Sequence, residues 1–174
     1  MLGKCQAEVS DYKASSAAFE AALALAPAQA DTWYEYGLVL TAIPDYSKAA
    51  AALEKAQVLG IKQTLDFKEN LANIYLATPQ YEKGVALINE ILVKKPNDDA
   101  LMFLAAQAYY KHKKYNEAAE YYEKAYTADP ENYRALYMLG MSFQRNGEQR
   151  KGEDYCNEAI EKDPSLRQYK TSGF

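Results

Sequence analysis

Apolar residues recur along the chain at intervals of three and four, the spacing that is typical of amphipathic helices. Residues 99–132 contain two such runs in succession. The first run consists of Leu101, Leu104, Ala105, Ala108 and Tyr109. The second run consists of Ala118, Ala119, Tyr122, Ala125 and Tyr126. The short polar segment His112-Lys113-Lys114 lies between them, so the pattern predicts two helices joined by a tight turn.

This helix pair is repeated along the chain with a period of 34 residues. Pro96, Pro130 and Pro164 are separated by that interval, and Pro27 follows it with one extra residue. A proline at these positions ends one helix and precedes the next. The repeat predicts one domain over residues 1–174, with a partial unit at 1–29, complete units at 30–64, 65–98, 99–132 and 133–166, and a short helix or tail at 167–174.

Small residues recur once in each half of the unit, where they would let two helix backbones approach closely. In the first half these residues are Gly3, Gly37, Ala72, Ala106 and Gly140. In the second half they are Ser15, Ala49, Gly84, Ala118 and Gly152. In four units an aromatic residue opens the second half, namely Tyr12, Tyr46, Tyr81 and Tyr115. We therefore expect two closely packed helices in each unit.

The composition agrees with this helical pattern. The chain contains 29 Ala against 8 Gly and 6 Pro, which favours an all-α protein. Because no apolar run is long enough to cross a bilayer, we expect no membrane insertion. The formal net charge is −4, and among the successive segments only residues 133–174 carry a net positive charge. This balance disfavours binding to nucleic acid.

These residues match a known repeat family. The 34-residue spacing, the motif Trp33…Tyr36-Gly37…Leu40, the set Ala118…Tyr122…Ala125 and the closing Asp-Pro pairs resemble the tetratricopeptide repeat, or TPR. The resemblance covers essentially the whole chain. It implies a right-handed superhelical solenoid of antiparallel helix pairs that acts as a binding scaffold.

Three departures from the repeat are visible, the first of which is Gln149 in place of the aromatic residue that opens the second half of the unit. Ile61 replaces the boundary proline in the one 35-residue unit, so we expect a local irregularity after Leu59-Gly60. Ile91 replaces a small residue in the unit at 65–98.

In TPR proteins the first helix of each unit lines a concave groove, and the resemblance implies that its outward residues bind a protein or peptide. In this chain those residues are Tyr34, Leu38, Asn70, Asn73, Phe103, Gln107, Tyr110, Arg134, Tyr137, Met141 and Arg145. Aromatic, methionine and amide side chains form an adaptable recognition surface. Of the 16 tyrosines we expect Tyr34, Tyr110 and Tyr137 to contact the partner, whereas Tyr122 belongs to the repeat scaffold.

The charges of this surface change along the chain. Its acidic residues are Asp31, Glu35, Asp66 and Glu69, and its basic residues are Lys111, Arg134 and Arg145. We therefore expect a partner segment with an apolar or aromatic centre, basic near the first units and acidic near the last. One TPR subgroup binds the acidic C-termini of heat-shock chaperones, but Glu69 and Leu104 stand where that clamp needs Lys and Asn, which disfavours this ligand.

The sequence contains no catalytic, cofactor or metal motif, and we predict that the protein is not an enzyme. Its only histidine, His112, lies in the turn among lysines, and Cys5 and Cys156 lie far apart, which predicts no disulfide and no metal site. Two alternatives remain open: an assembly module that associates with itself or a neighbouring domain through its terminal faces, and a subdomain of an enzyme whose catalytic part lies elsewhere.

The two ends of the chain suggest a piece of a longer array. Met1-Leu2-Gly3 falls in the middle of a first helix, and residues 165–170 begin what could be another helix. No signal peptide is visible. We expect a soluble protein, and the sequence leaves open whether it is cytoplasmic or resides in a bacterial periplasm.

Overall fold

The chain is described by a computed structural model that covers the backbone of residues 2–172 and the side chains of residues 11–169. Within that range every regular element is helical. The α-helices are α1 Leu2–Leu25, α2 Ala30–Ala42, α3 Tyr46–Val58, α4 Leu65–Leu76, α5 Tyr81–Leu92, α6 Asp99–Lys111, α7 Tyr115–Ala128, α8 Tyr133–Arg145, α9 Gln149–Lys162 and α10 Arg167–Ser172, the last preceded by a 3-10 turn at Pro164–Leu166.

The helices form the consecutive pairs that the 34-residue repeat predicts, so the all-α prediction is confirmed for the described residues. The chain divides into two compact units, with the division between Leu87 and Ile88, inside α5. The first unit has a core that includes Leu40, Leu53 and Phe67. The core of the second unit includes the buried side chains of Tyr122, Leu136 and Leu139, together with Ala125 and Ala135.

Three of the first helices begin at N-caps that share the repeat period. Thr64, Asp98 and Asn132 each accept a hydrogen bond from the backbone N–H three residues later, at 3.2, 3.1 and 3.0 Å. Each bond satisfies one N–H that a helix start leaves without an intrahelical partner. The period of the sequence therefore fixes where α4, α6 and α8 begin.

The irregularity expected after Leu59-Gly60 is an ordinary helix ending. Gly60 has a φ of 89°, its N–H donates to the Gln57 carbonyl at 3.0 Å, and the Ile61 N–H donates to the Ala56 carbonyl at 3.1 Å. These bonds form a Schellman motif, which favours an apolar residue just after the glycine. Ile61 packs against the core of the first unit, which explains why isoleucine stands in place of the boundary proline.

The small residues allow close contact between paired helices, as the sequence predicts. A Cβ atom added to Gly140 would lie 2.6 Å from the Gly152 carbonyl oxygen and 2.8 Å from the Cys156 amide nitrogen. A Cβ atom added to Gly84 would lie 2.8 Å from the Ala72 carbonyl oxygen. The backbones of α8 and α9, and of α4 and α5, therefore approach at positions where a side chain would not fit.

The start of the chain differs from the repeat pattern. Helix α1 runs without a break from Leu2 to Leu25, whereas the repeat predicts a turn just before Tyr12. Residues 4–12 contain neither glycine nor proline, the residues that most often mark a helix end.

Tyrosine hydroxyls link neighbouring helices in the first unit. Tyr36 donates to Glu20 at 2.7 Å, and burial raises the pKa of Tyr36 to about 12. Tyr75 donates to Glu54 at 2.6 Å, and Lys83 contacts the same Glu54 oxygen at 3.3 Å. The Tyr75 hydrogen bond, with a smaller effect from Lys83, lowers the pKa of Glu54.

Candidate functional site

In the first unit, helices α2 and α4 bring four of the expected site residues together. Asn70 donates its side-chain N–H to the hydroxyl of Tyr34 at 2.7 Å. The Tyr34 ring also packs at 5.5 Å from the ring of buried Phe67, so the core holds the tyrosine in place. Together, Tyr34, Leu38, Asn70 and Asn73 define what we call the α2–α4 face.

A cavity of about 320 Å³ opens on the α2–α4 face. It is lined by Leu38, Thr41, Tyr46, Asn70, Asn73, Ile74 and Ala77. The lining combines an apolar floor with two amide side chains. Such a cavity can accept a small apolar side chain while the amides bond to polar groups beside it.

In the second unit, six of the expected site residues lie on helices α6 and α8, and we call them the α6–α8 face: Phe103, Gln107, Tyr110, Arg134, Met141 and Arg145. The guanidinium of Arg134 lies over the Phe103 ring, 5.3 Å from its centroid. A cation at this distance is attracted to the ring. Phe103, Gln107, Tyr110 and Met141 are half-buried, and both arginines are exposed.

Tyr110 and Arg145 lie near each other at the far end of this face. The Tyr110 ring packs at 5.3 Å from that of Tyr115. The Tyr110 hydroxyl raises the pKa of Arg145, although the two groups do not reach the geometry of a hydrogen bond.

Tyr137 differs from the sequence expectation. Its side chain is only 2 % exposed, whereas we expected it on the open groove. Its ring packs at 6.3 Å from that of Tyr169 in α10, and both line a cavity of about 460 Å³ with Met141. The helix that follows α9 thus covers the position, and burial raises the pKa of Tyr137.

Tyr122 belongs to the repeat scaffold by its position, and the repeat pattern does not account for its hydroxyl group. The side chain is fully buried, and its hydroxyl has no hydrogen-bond partner in the described part of the chain. Its ring meets that of Phe103 edge to face at 5.2 Å. The sequence itself marks this hydroxyl as unusual, because no other unit has a hydroxyl group at the equivalent position. The residues there are Phe19, Leu53, Ile88 and Cys156.

The α6–α8 face has a surplus of positive charge. The basic residues of the two helices are Lys111, Arg134 and Arg145, and their one acidic residue is Asp99. The Asp99 carboxylate accepts a hydrogen bond from the side chain of Asn132 at 2.9 Å. Arg134 and Arg145 form no ion pair with any residue whose side chain the structure describes.

Among residues 11–169, no group of three His, Cys, Asp or Glu side chains could hold a metal ion. Over the described helices, none is both long and apolar enough to span a membrane.

Comparisons with known proteins agree with the observed helix pairs. A family model described as tetratricopeptide repeat matches residues 1–64 and 103–166. No curated protein matches the chain.

Solved structures with a similar fold include MamA, with a TM-score of 0.71 and 17% identity over 99% of this chain and 93% of the other. MamA from Desulfovibrio magneticus RS-1 also gives 0.71 and 17%, over 94% and 91% of the two chains. YrrB, described as a TPR protein with an unusual peptide-binding site, gives 0.70 and 20%, over 91% and 81%. At these identities the likeness shows the fold.

Proposed function

Because the chain belongs to the tetratricopeptide repeat family, we propose that it is a non-catalytic scaffold that binds a peptide segment of a partner protein. The binding surfaces are the α2–α4 face of the first unit and the α6–α8 face of the second. Both consist of residues on the first helices of the repeat units.

The observation that carries this proposal is the composition and packing of the α6–α8 face. It combines Phe103 and Tyr110 with two exposed guanidinium groups. Aromatic and arginine side chains are the residues that most often dominate the energy of protein interfaces. The edge-to-face contact of Phe103 with buried Tyr122 holds the ring in place before a partner arrives.

The α2–α4 face supports the same function by different chemistry. The amides of Asn70 and Asn73 offer both donors and acceptors beside the apolar cavity, which suits the backbone of an extended peptide. The peptide-binding site stated for YrrB, a protein of the same fold, supports assigning peptide binding to this chain.

The experiment is a selection from a display library of random twelve-residue peptides on the full chain, followed by fluorescence anisotropy with the selected peptides. Phe103→Ala and Tyr34→Ala should each weaken binding at least about tenfold if the peptide sits on that variant's face. Val93→Ala and Val58→Ala change exposed apolar residues outside the first helices and serve as controls in the same two units. Equal affinities in all four variants would refute the proposal.

Self-association through terminal helices, the alternative raised by the sequence, stays a prediction. Light scattering across a range of protein concentrations tests it. A constant monomer mass would eliminate it, and a mass that rises with concentration would support it.

A further inference from the structure

A further cavity of the first unit is lined by residues of α1, α2 and α3, and it shares no residue with the cavity on the α2–α4 face. Its volume is about 620 Å³, within the range of ligand-binding clefts. Aromatic residues of α2, small residues of α1 and α3, and a few charged side chains line it. We call it the α1–α3 groove and define it as Glu20, Leu23, Ala24, Trp33, Tyr36, Lys48, Ala51, Ala52 and Lys55.

The α1–α3 groove coincides with a small residue at a repeat position that is otherwise large. This unit has Ala52 there, whereas the three other complete units have Leu87, Tyr121 and Tyr155. In the second unit the side chain of Tyr121 extends from α7 to α5, where its hydroxyl donates to Asn89 at 2.7 Å. Because Ala52 offers only a methyl group, the corresponding space in the first unit is left open.

The contacts of Tyr121 show what such a space can hold. The ammonium group of Lys124 lies over the Tyr121 ring, 4.6 Å from its centroid. Lys55 stands at the repeat position of Lys124 and lines the α1–α3 groove. Glu20 stands at the position of Asn89 and lines the groove as well. A tyrosine ring in this groove would therefore meet a cation and an oxygen acceptor, as Tyr121 does in its own unit.

The charged groups of the groove differ in how far they are already paired. Lys48 forms an ion pair with Asp45 at 3.5 Å. Glu20 accepts from the Tyr36 hydroxyl at 2.7 Å with one of its two carboxylate oxygens, so the other oxygen can accept from a ligand. Lys55 is exposed and forms no ion pair with any side chain among residues 11–169. It can attract a negative group that stands beside a bound ring.

The groove is open to solvent along both sides, because Ala24 of α1 and Ala51 and Lys55 of α3 are exposed. A ring bound there would be covered from one side only. Such partial burial favours a ring that is carried by a larger molecule, whose other contacts add to the affinity.

We infer that the α1–α3 groove binds a tyrosine side chain of a partner protein, with an acidic residue next to that tyrosine paired with Lys55. The partner's ring takes the place that Tyr121 occupies in its own unit. Its hydroxyl donates to the second carboxylate oxygen of Glu20. This site is separate from the two faces of the proposed function and does not depend on them.

Trp33 is the only tryptophan of the chain and lines the groove, so its fluorescence reports on the site. The probes are blocked peptides of the sequence Glu-Glu-Tyr-Glu-Glu, with Phe or Ala in place of Tyr as comparisons, titrated to millimolar concentration. The tyrosine peptide should shift the Trp33 emission with a saturating curve. Affinity should fall about threefold with Phe, which lacks the hydroxyl, and at least about tenfold with Ala.

Filling the groove from within the chain should block this binding. Ala52→Tyr should lower the affinity of the tyrosine peptide at least about tenfold, because its own ring occupies the space. Ala52→Leu, a smaller filling that follows Leu87, should act in the same direction and keeps the test valid if the larger ring disturbs folding. Ala86→Tyr adds the same side chain at an exposed position of α5 and should leave the affinity unchanged.

The charge of Lys55 has its own test. Lys55→Gln should lower the affinity of the tyrosine peptide about threefold to tenfold, because it removes the cation that faces the ring and the acidic neighbour. Lys62→Gln, at an exposed lysine outside the groove, is the matched control and should change nothing.

Two results would overturn this inference. One is a tyrosine peptide that leaves the Trp33 emission unchanged or binds both Ala52 variants as tightly as the natural sequence. The other is free N-acetyltyrosine that binds as tightly as the peptide, which would assign the groove to a small aromatic acid. Tyr34→Ala and Phe103→Ala, which test the proposed function, should not alter binding of this peptide, so failure of either idea is seen separately.

Discussion

The guanidinium of Arg134 lies over the ring of Phe103, 5.3 Å from the ring centroid. The two residues come from different repeat units, on α8 and α6, so their contact joins the first helices of neighbouring units. The same contact places a cation and an aromatic ring side by side on the face that we propose binds a peptide.

Removing the charge of Arg134 should cost a small, measurable amount of stability. We expect Arg134→Gln to lower the free energy of unfolding by about 0.5–1 kcal/mol, because an exposed cation–ring contact contributes that much. Urea unfolding measures it. Arg150→Gln, an exposed arginine on α9, should change stability by less than about 0.5 kcal/mol. Equal effects would show that the contact contributes nothing.

Removing the hydroxyl group should have opposite effects on the free energy of unfolding at two adjacent tyrosines. Tyr121→Phe should lower the free energy of unfolding by about 1 kcal/mol, because it breaks the hydrogen bond to Asn89. Tyr122→Phe should leave it unchanged or raise it by up to about 1 kcal/mol, because its hydroxyl is buried without a partner. Urea unfolding of both variants checks this, and a destabilised Tyr122→Phe would reveal a bond that the structure lacks.

A methyl group at Gly140 should strain the contact between α8 and α9. The added Cβ would meet the Gly152 carbonyl oxygen at 2.6 Å, so Gly140→Ala should lower the free energy of unfolding by about 2–3 kcal/mol. Ala86→Ser adds one atom at an exposed position of α5 and should have little effect. Thermal unfolding compares the two, and similar melting temperatures would contradict the close approach.

The turn between α6 and α7 contains a strained lysine. Lys113 has a φ of 60°, and its N–H donates to the Tyr110 carbonyl at 3.0 Å, which is the geometry of a helix C-terminus that favours glycine. Lys113→Gly should therefore raise the free energy of unfolding by about 0.5–1 kcal/mol. Lys114→Gly, one residue later with a φ of −88°, should lower it by a similar amount. Destabilisation by both would contradict the prediction.

The Tyr75–Glu54–Lys83 contacts should make stability depend on acid pH. The pKa of Glu54 is lower in the folded protein than its ordinary value of 4.5. The stabilisation from this carboxylate is therefore complete above pH 4.5 and is lost as the pH falls through the lower folded pKa. Urea unfolding at several pH values should show that Glu54→Gln loses less stability at acid pH than the natural sequence does. If the free energies of unfolding of the two proteins fall in parallel with pH, Glu54 does not contribute.

The helix pairs could be predicted because several features of the sequence share one period of 34 residues. These features are the apolar spacing, the small residues at positions such as Gly84 and Gly140, and the boundary prolines. Each of them determines the structure of residues close to it in the chain. The unbroken α1 is not predicted in this way, since its residues match the repeat pattern and yet the helix continues past the position where the repeat predicts a turn before Tyr12.

The candidate site was less predictable, because it depends on contacts between units of the repeat. Helical position places Phe103, Tyr110 and Arg134 on the first helices, but it cannot show that Tyr169 of α10 covers Tyr137. Nor can it show that the Tyr122 hydroxyl ends without a partner, because that depends on what surrounds the ring in three dimensions.

The most direct measurement is hydrogen–deuterium exchange of the full chain with and without a peptide selected from the random library. Binding on the α6–α8 face should slow exchange within Asp99–Lys111 and Tyr133–Arg145 and leave Gln149–Lys162 at its original rate. Protection confined to α9, or to α3 and α5, would place the peptide elsewhere and contradict the central claim.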